Sequence, residues 1–412
     1  MPEPDHDMPG PTPSSGLDQC VQCGACMQVC PVYLAGRREE YSARGKLRLL
    51  RGLRDGLLAP DRELGKALGR CLLCGRCSHN CPSGVPAREE VQAGRARLAA
   101  LAGAAMAKRL LLEGALSHPR RMDGLARSGA LVQGVARALI PASSGLNLRL
   151  PGSDELRGLP PLAREPFLAQ APRRIAGPKG SPRLGLFVGC VTNYLRPGLA
   201  QMATRLLSRI GTVIIPSQGC CGLPALSAGL GEVAARLAGD FSRAFALARV
   251  DKVVTVCGSC AWTLAREVPA LAGAGRDKTS FPEVLEISQV LAEHPRLLKG
   301  LGGERRPVAL HDPCHLKVGL GVHEEPRAVL RAADVDMAPL SRADACCGGG
   351  GLFSLDEPGL SQAVFQERAA DFASSGAAVL ATSCSGCYLQ WKLGLGESAR
   401  VAHPLELLGE PA

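Results

Sequence analysis

The 412-residue chain is poor in aromatic side chains: eight Phe, four Tyr and two Trp make up about 3% of it. So few flat rings leave little with which to stack nucleic-acid bases, although Lys and Arg outnumber Asp and Glu by 48 to 38. Long apolar runs are missing as well. The stretch from Leu98 to Ala107 ends at Lys108 and Arg109, well short of the ~20 residues that cross a bilayer, so no transmembrane segment is expected. The opening residues, MPEPDHDMPGPTPSSG, contain no basic region leading into an apolar stretch, and a secretory signal is not expected either. Nor is there a Gly-x-Gly-x-x-Gly followed at the proper distance by an acidic residue, so no flavin or NAD site is expected on this chain.

What the chain does have is cysteine, 18 residues of it. Small secreted scaffolds use such density as staples, but a chain of this length buries cores without them. With 46% hydrophobic and 21% charged residues the composition is that of an ordinary soluble globular protein, with roughly two to four domains. Clustered cysteines in a reducing compartment are metal ligands or redox groups. The expected location is therefore cytoplasmic, either free or peripheral on the cytoplasmic face of a membrane.

The formal charge of +10 is unevenly spread: Val85 to Arg183 carries 16 Lys plus Arg against 7 Asp plus Glu, nearly the whole excess. Paired basics occur there (Lys108-Arg109, Arg120-Arg121, Arg173-Arg174), but no nucleic-acid motif accompanies them, and no nucleic-acid partner is expected. The stretch reads as a docking surface for an acidic partner or as a solvated linker.

Residues 1–16, polar and rich in Pro and Ser, read as a disordered lead. Residues 17–115 form a small helical domain with two cysteine clusters separated by helical segments, Ser42 to Gly56 and Asp61 to Gly69. Residues 116–182 read as a basic, Pro- and Gly-rich linker with short helices, such as Asp123 to Ile140. Beyond it the chain repeats itself. Cys190, the pair Cys220-Cys221 with Gly222, and Cys257-x2-Cys260 recur as Cys314, Cys346-Cys347 with Gly348, and Cys384-x2-Cys387. This defines unit 1, residues 183–300, and unit 2, residues 301–412. Short β-branched runs begin at Leu184, Thr212 and Lys252 in unit 1 and at Pro307, Val335 and Ala378 in unit 2; they alternate with helical stretches such as Leu199 to Ile210, Glu232 to Ala248 and Leu360 to Ser374. The expected fold class is α+β and α/β: a helical two-cluster ferredoxin domain followed by two repeated βαβ-type units, with cysteines at strand ends, where open α/β sheets place their sites.

The N-terminal cysteines follow one grammar twice: Cys20-x2-Cys23-x2-Cys26-x3-Cys30-Pro31 and Cys71-x2-Cys74-x2-Cys77-x3-Cys81-Pro82. This is the bacterial ferredoxin run, in which three thiolates of one loop hold three corners of a [4Fe–4S] cube and the fourth reaches the other cube. The expected ligand sets are Cys20, Cys23, Cys26 and Cys81 for one cluster, and Cys71, Cys74, Cys77 and Cys30 for the other. Structural zinc is the competing reading, but zinc sites usually pair two Cys-x2-Cys knuckles.

The ten cysteines of the repeat, Cys190, Cys220, Cys221, Cys257, Cys260, Cys314, Cys346, Cys347, Cys384 and Cys387, obey a different rule. Either five thiolates per unit converge on one or two further non-cubane [4Fe–4S] clusters, or the pairs are redox thiols, or a unit is a structural scaffold. Gly222 and the run Gly348 to Gly351 would let backbone approach inorganic sulfur closely. His311 and His315 flank Cys314, where they either hydrogen-bond cluster sulfur or relay a proton, or cap the following turn. His79 reads as a peripheral residue of its run, and Arg44, Gly45 and Lys46 as a solvated basic helix face. No catalytic residue is assigned.

Taken together, the two ferredoxin runs, the two Cys-Cys-Gly units and SerAlaArgGlyLys at 42–46 resemble the iron–sulfur subunits of the glycolate oxidase and lactate dehydrogenase family. The resemblance implies an oxidoreductase subunit that takes electrons from a partner FAD-containing dehydrogenase and passes them to a quinone or other carrier, with hydroxy acid oxidation on the other chain. The layout is also similar to the catalytic subunit of heterodisulfide reductase, which implies the alternative of a thiol–disulfide reductase acting through non-cubane clusters. In glycolate oxidase subunits one cysteine of the final pair is often absent, whereas Cys257, Cys260, Cys384 and Cys387 are all present here.

Overall fold

The computed structural model describes residues 16–102, 106–116, 118–139, 160–273 and 281–409. Most of the expected disordered lead and the middle of the expected linker lie outside them. The ferredoxin part is helical. Ala43–Arg54 is capped by the Ser42 hydroxyl, which accepts from the Gly45 amide, and Arg62–Gly69 is capped by Asp61, which accepts from Leu64. Leu47, Leu50 and Leu53 of the first helix, Leu64 and Leu68 of the second, and Val91 and Leu98 of Ala87–Ala102 share one apolar core beneath the cysteine loops.

Each repeat unit is a parallel sheet. In unit 1 the order is β1-β3-β2-β4-β5, built from Arg174–Ile175, Thr212–Ile214, Arg183–Phe187, Lys252–Thr255 and Glu283–Glu286; β1 alone is antiparallel. In unit 2 the order is β7-β6-β8-β9, from Met337–Ala338, Val308–His311, Val379–Thr382 and Arg400–Ala402. Removing β1 leaves the same order twice. The central strands are buried on both faces, and their apolar runs are uninterrupted. One core joins the units: Leu186, Val213 and Val254 belong to the same cluster as Val308, Val379 and Ala402.

Strand β1 lies in the stretch read as a linker. The linker helix Pro119–Leu139 is also engaged, since the Tyr194 hydroxyl donates to Asp123 at 2.9 Å and Leu162 N–H donates to the Gln133 side-chain oxygen at 2.9 Å.

Equivalent segments of the two units face each other. The Gly258 amide donates to the Ser383 carbonyl at 2.7 Å, and the Ser385 amide to Cys257 Sγ at 3.4 Å. At the ends of the equivalent edge strands β5 and β9, Glu286 and His403 each cap a following helix through a capping box and approach each other at 3.8 Å. The sheets are thus set with their cysteine-bearing ends together.

Candidate metal centre

Two features turn each ferredoxin loop inward. Gln22 and Gly24 in the first loop, and Leu73 and Gly75 at the same places in the second, adopt left-handed backbone angles, with φ of 58°, 84°, 50° and 75°. A non-glycine residue pays about 1–2 kcal/mol for that region, so the tight turn in each loop is held by its surroundings. Cys20, Cys23, Cys26, Cys77 and Cys81 line one cavity. Cys30, Cys71, Cys74 and Cys77 line a second, beside Lys46 and Arg88. His79 is exposed and faces neither.

Crowded thiols of this kind resist ionisation. Burial, then Cys71, Cys30 and Cys26, push Cys77 up to about 12, and burial and neighbouring thiolates raise Cys74 as well. A set of thiolates so placed is favourable only around a metal cation, whose charge reverses the local balance. Donor chemistry and enclosed cavities therefore fit iron–sulfur clusters.

The basic helix between the loops is not a solvated face. Ser42, Gly45 and Lys46 are buried, with Lys46 only 1% exposed. Its ammonium donates to the carbonyls of Glu40 and Tyr41, each at 2.7 Å. Burial pushes Lys46 below its ordinary value, while Cys71 and Cys30 beside it act in the opposite direction. The chain thus keeps a desolvated cation next to the second cavity. Nothing local in the sequence marks this lysine out, because its partners are carbonyls of the preceding turn. Arg95 plays a related part, binding the Leu68, Gly69 and Cys71 carbonyls and the Ser227 carbonyl of unit 1.

In the repeat eight of the ten cysteines form one connected series across both units, and Cys314 and Cys346 form a separate pair. Cys220 touches Cys190 and Cys221, Cys221 touches Cys260, and Cys257 contacts both Cys260 and Cys384. In unit 2, Cys384 contacts Cys387, Cys387 contacts Cys347, and Cys314 contacts Cys346. The adjacent pair in unit 2 diverges. Cys346 packs with Cys30, Cys74, Leu72 and Tyr41 of the ferredoxin part, whereas Cys347 packs with Phe365 and Trp391 inside unit 2. Cys74 consequently feels Cys346 as its strongest neighbouring charge.

The glycines after each pair serve chain geometry. Gly222 and Gly348 both turn left-handed, at φ 93° and 87°. Gly350 lies against Leu72, where a Cβ would come within 2.4 Å of a side-chain carbon, so at that point of the run the close approach is to the ferredoxin loop. Neither histidine of HisAspProCysHis caps a turn. His311 ends strand β6, edge-on to Trp391 at 5.6 Å. His315 lies in the helix Cys314–Leu320 and stacks on Trp262 at 4.9 Å, its Nδ1 paired at 2.9 Å with the Ser259 hydroxyl, which in turn contacts Cys384 Sγ at 3.0 Å. Burial pushes His315 down to about 4, so it is neutral at pH 7. Arg88 also packs on this group, its guanidinium carbon 3.8 Å from the Trp262 ring centroid, and it bonds the Leu73 carbonyl and Glu267.

A cleft of about 650 Å³ opens where all three parts meet. Cys71, Arg62, Lys66 and Lys108 line it from the N-terminal side, Ser227 from unit 1 and Phe353 from unit 2. Cys71 is therefore approached from outside by a cleft of mixed charge, in which Arg62, Lys66, Arg95 and Lys108 stand with Asp61, Asp356 and Glu357. Among the described residues no helix is long and apolar enough to cross a membrane.

With these sites in place the class is defined: an iron–sulfur protein that joins a dicluster ferredoxin part to a duplicated cysteine-rich unit. Residues 16–85 match the model of the 4Fe-4S dicluster domain, and residues 184–265 and 308–392 each match that of the cysteine-rich domain. The chain is 28% identical to the probable glycolate oxidase iron-sulfur subunit of Bacillus subtilis, over 96% of this chain and 94% of that one. It is 30% identical to lactate utilization protein A of Exiguobacterium sp., over 56% of this chain and 98% of that one. It is also 26% identical to a dihydromethanophenazine:CoB--CoM heterodisulfide reductase subunit of Methanosarcina acetivorans, over 90% and 87%. The chain belongs to the glycolate oxidase and lactate utilization family of iron–sulfur oxidoreductase subunits.

Proposed function

We propose that the chain is the electron-transfer subunit of a flavin-dependent 2-hydroxy acid dehydrogenase, of glycolate or lactate type. It takes electrons from a partner FAD-containing subunit and delivers them to a quinone or other carrier, working in the cytoplasm or at the cytoplasmic face of a membrane. In this reading Cys20, Cys23, Cys26 and Cys81 hold one [4Fe–4S] cluster and Cys71, Cys74, Cys77 and Cys30 the other, while the ten repeat cysteines hold one or two further clusters or act as redox thiols. When bound, such clusters supply one-electron acceptance and release. The residues of the chain do the rest: Lys46 and Arg95 set a positive field at the second cavity, and the cleft at Cys71 admits a partner. The observation that carries the reading is the packing of Cys74 against the cluster that holds Cys346, which brings the ferredoxin cysteines up to the Cys314–Cys346 pair of unit 2.

Anaerobically purified protein should contain about eight irons for the ferredoxin pair alone and about sixteen if both units are loaded. A partner flavoprotein should reduce its EPR-visible clusters within turnover time. A thiol–disulfide reductase is the second reading, favoured by the meeting of Cys257 and Cys384 at the inter-unit contact. Reduction of a disulfide by the purified chain with a chemical reductant and no flavoprotein would establish that second reading and overturn the first.

A further inference from the structure

The two units share a fold, yet they differ in the residue placed above the sulfurs. Counting back from Cys190 and Cys314, the position held by Phe187 in unit 1 is held by His311 in unit 2. Phe187 packs into a ring cluster, 5.7 Å from Phe241 and 6.3 Å from Phe245. His311 instead points among sulfurs: a ring nitrogen, Cys347 Sγ and Cys387 Sγ all lie within 4.8 Å of one another. The residue is 1% exposed, and its Nε2 is buried without a hydrogen-bond partner. An orphaned polar atom in such a place is destabilising unless something satisfies it. Two thiolates and one imidazole at this spacing are three of the four ligands that a thiophilic metal takes.

We propose that His311 is a metal ligand, completing with Cys347 and Cys387 a thiolate–imidazole site that unit 1 cannot form. The metal is either an iron of a cluster held by unit 2 or a single zinc ion; both present the same coordination to the ring. A neutral imidazole brings no negative charge to the ligand set, as in the iron–sulfur centres where histidine ligation raises the potential. Unit 2, which also carries the contact to Cys74, would then be the more easily reduced of the two units. The inference goes beyond the electron-transfer reading and rests on it only in requiring that unit 2 bind metal.

The test uses the full chain purified anaerobically, as isolated and after reconstitution with iron and sulfide. Pulsed EPR of the reduced protein should show strong ¹⁴N hyperfine coupling on a signal distinct from the ferredoxin pair if the metal is iron. Zinc-edge X-ray absorption should show a mixed sulfur and nitrogen shell if it is zinc. His311→Phe, which copies unit 1, should abolish the nitrogen signature and weaken retention of that metal against a chelator by at least ~10-fold. His311→Cys should lose the nitrogen signature but keep the metal, separating ligation from folding, and the ferredoxin EPR signals should persist in both variants. Metal bound in unit 2 with no nitrogen signature, or with a signature unchanged in His311→Phe, overturns the proposal and leaves the electron-transfer reading intact. A total of about eight irons and no other metal overturns it too, by showing that unit 2 is not a metal site.

Discussion

Units 1 and 2 have the same strand order and the same cysteine spacing, but they face different neighbours. Cys314 and Cys346 of unit 2 lie against Cys74 of the ferredoxin part, whereas Cys190 and Cys220 of unit 1 line a separate cavity with Met122, Leu168 and Tyr194. The difference shows how a duplicated scaffold acquires two roles. Backbone geometry is repeated because the same strand ends and left-handed glycines carry the same Cys-Cys-Gly turn; chemistry diverges because the side chains around it do.

The comparison predicts, first, that Cys346→Ala will stop electron passage from the ferredoxin clusters to the repeat, while Cys220→Ala will leave that step in place. Freeze-quench EPR after a reductant pulse reads this directly, and equal effects from the two substitutions would erase the proposed asymmetry. Lys46→Met removes the cation from the unit 2 side of the ferredoxin part and strands two buried carbonyls. It should cost about 2–4 kcal/mol in denaturant unfolding and lower the potential of the second cluster but not the first.

A third test concerns Glu286 of unit 1 and its counterpart His403 of unit 2. Burial raises Glu286 from its ordinary 4.5 to about 7, and burial keeps His403 neutral. Between those two pH values the unfolded chain has lost the Glu286 proton and the folded chain has kept it. This contribution to stability is therefore complete below about pH 4.5 and is lost as pH rises through 7, by ~3 kcal/mol. In Glu286→Gln that part of the pH dependence should vanish from unfolding curves. The smallest effect separates the two Cys-x2-Cys turns. A Cβ at Gly258 would meet Leu316 at 2.4 Å, while one at Gly386 meets nothing nearer than Cys384 Sγ at 4.0 Å. Gly258→Ala should cost about 1–3 kcal/mol and Gly386→Ala within ~0.5 kcal/mol, judged by thermal or denaturant midpoints.

The strands beginning at Arg183, Lys252, Val308 and Val379 are legible in the sequence because buried parallel strands are written as largely apolar runs. The edge strands β1, β5 and β9 are not: they are two to four residues long and carry Arg174, Glu283, Glu286 and Arg400, so neither length nor polarity announces them. The buried Lys46 is illegible for a related reason. A lysine on an amphipathic helix reads as solvated until the turn at Glu40 and Tyr41 folds over it. His311 could be singled out beside Cys314, but not its proximity to Cys347 and Cys387, which are 36 and 76 positions further along.

By itself, then, the sequence determined the inventory: two ferredoxin runs, one duplicated unit and cysteines after three strands of each unit, because ligand spacing and apolar periodicity are local properties of a chain. Tertiary structure alone decided which unit meets the ferredoxin part, how the cysteine pair of unit 2 divides between two cores, and which charges are buried beside sulfur. Those outcomes depend on contacts between residues tens to hundreds of positions apart, and on the dielectric that burial creates around them.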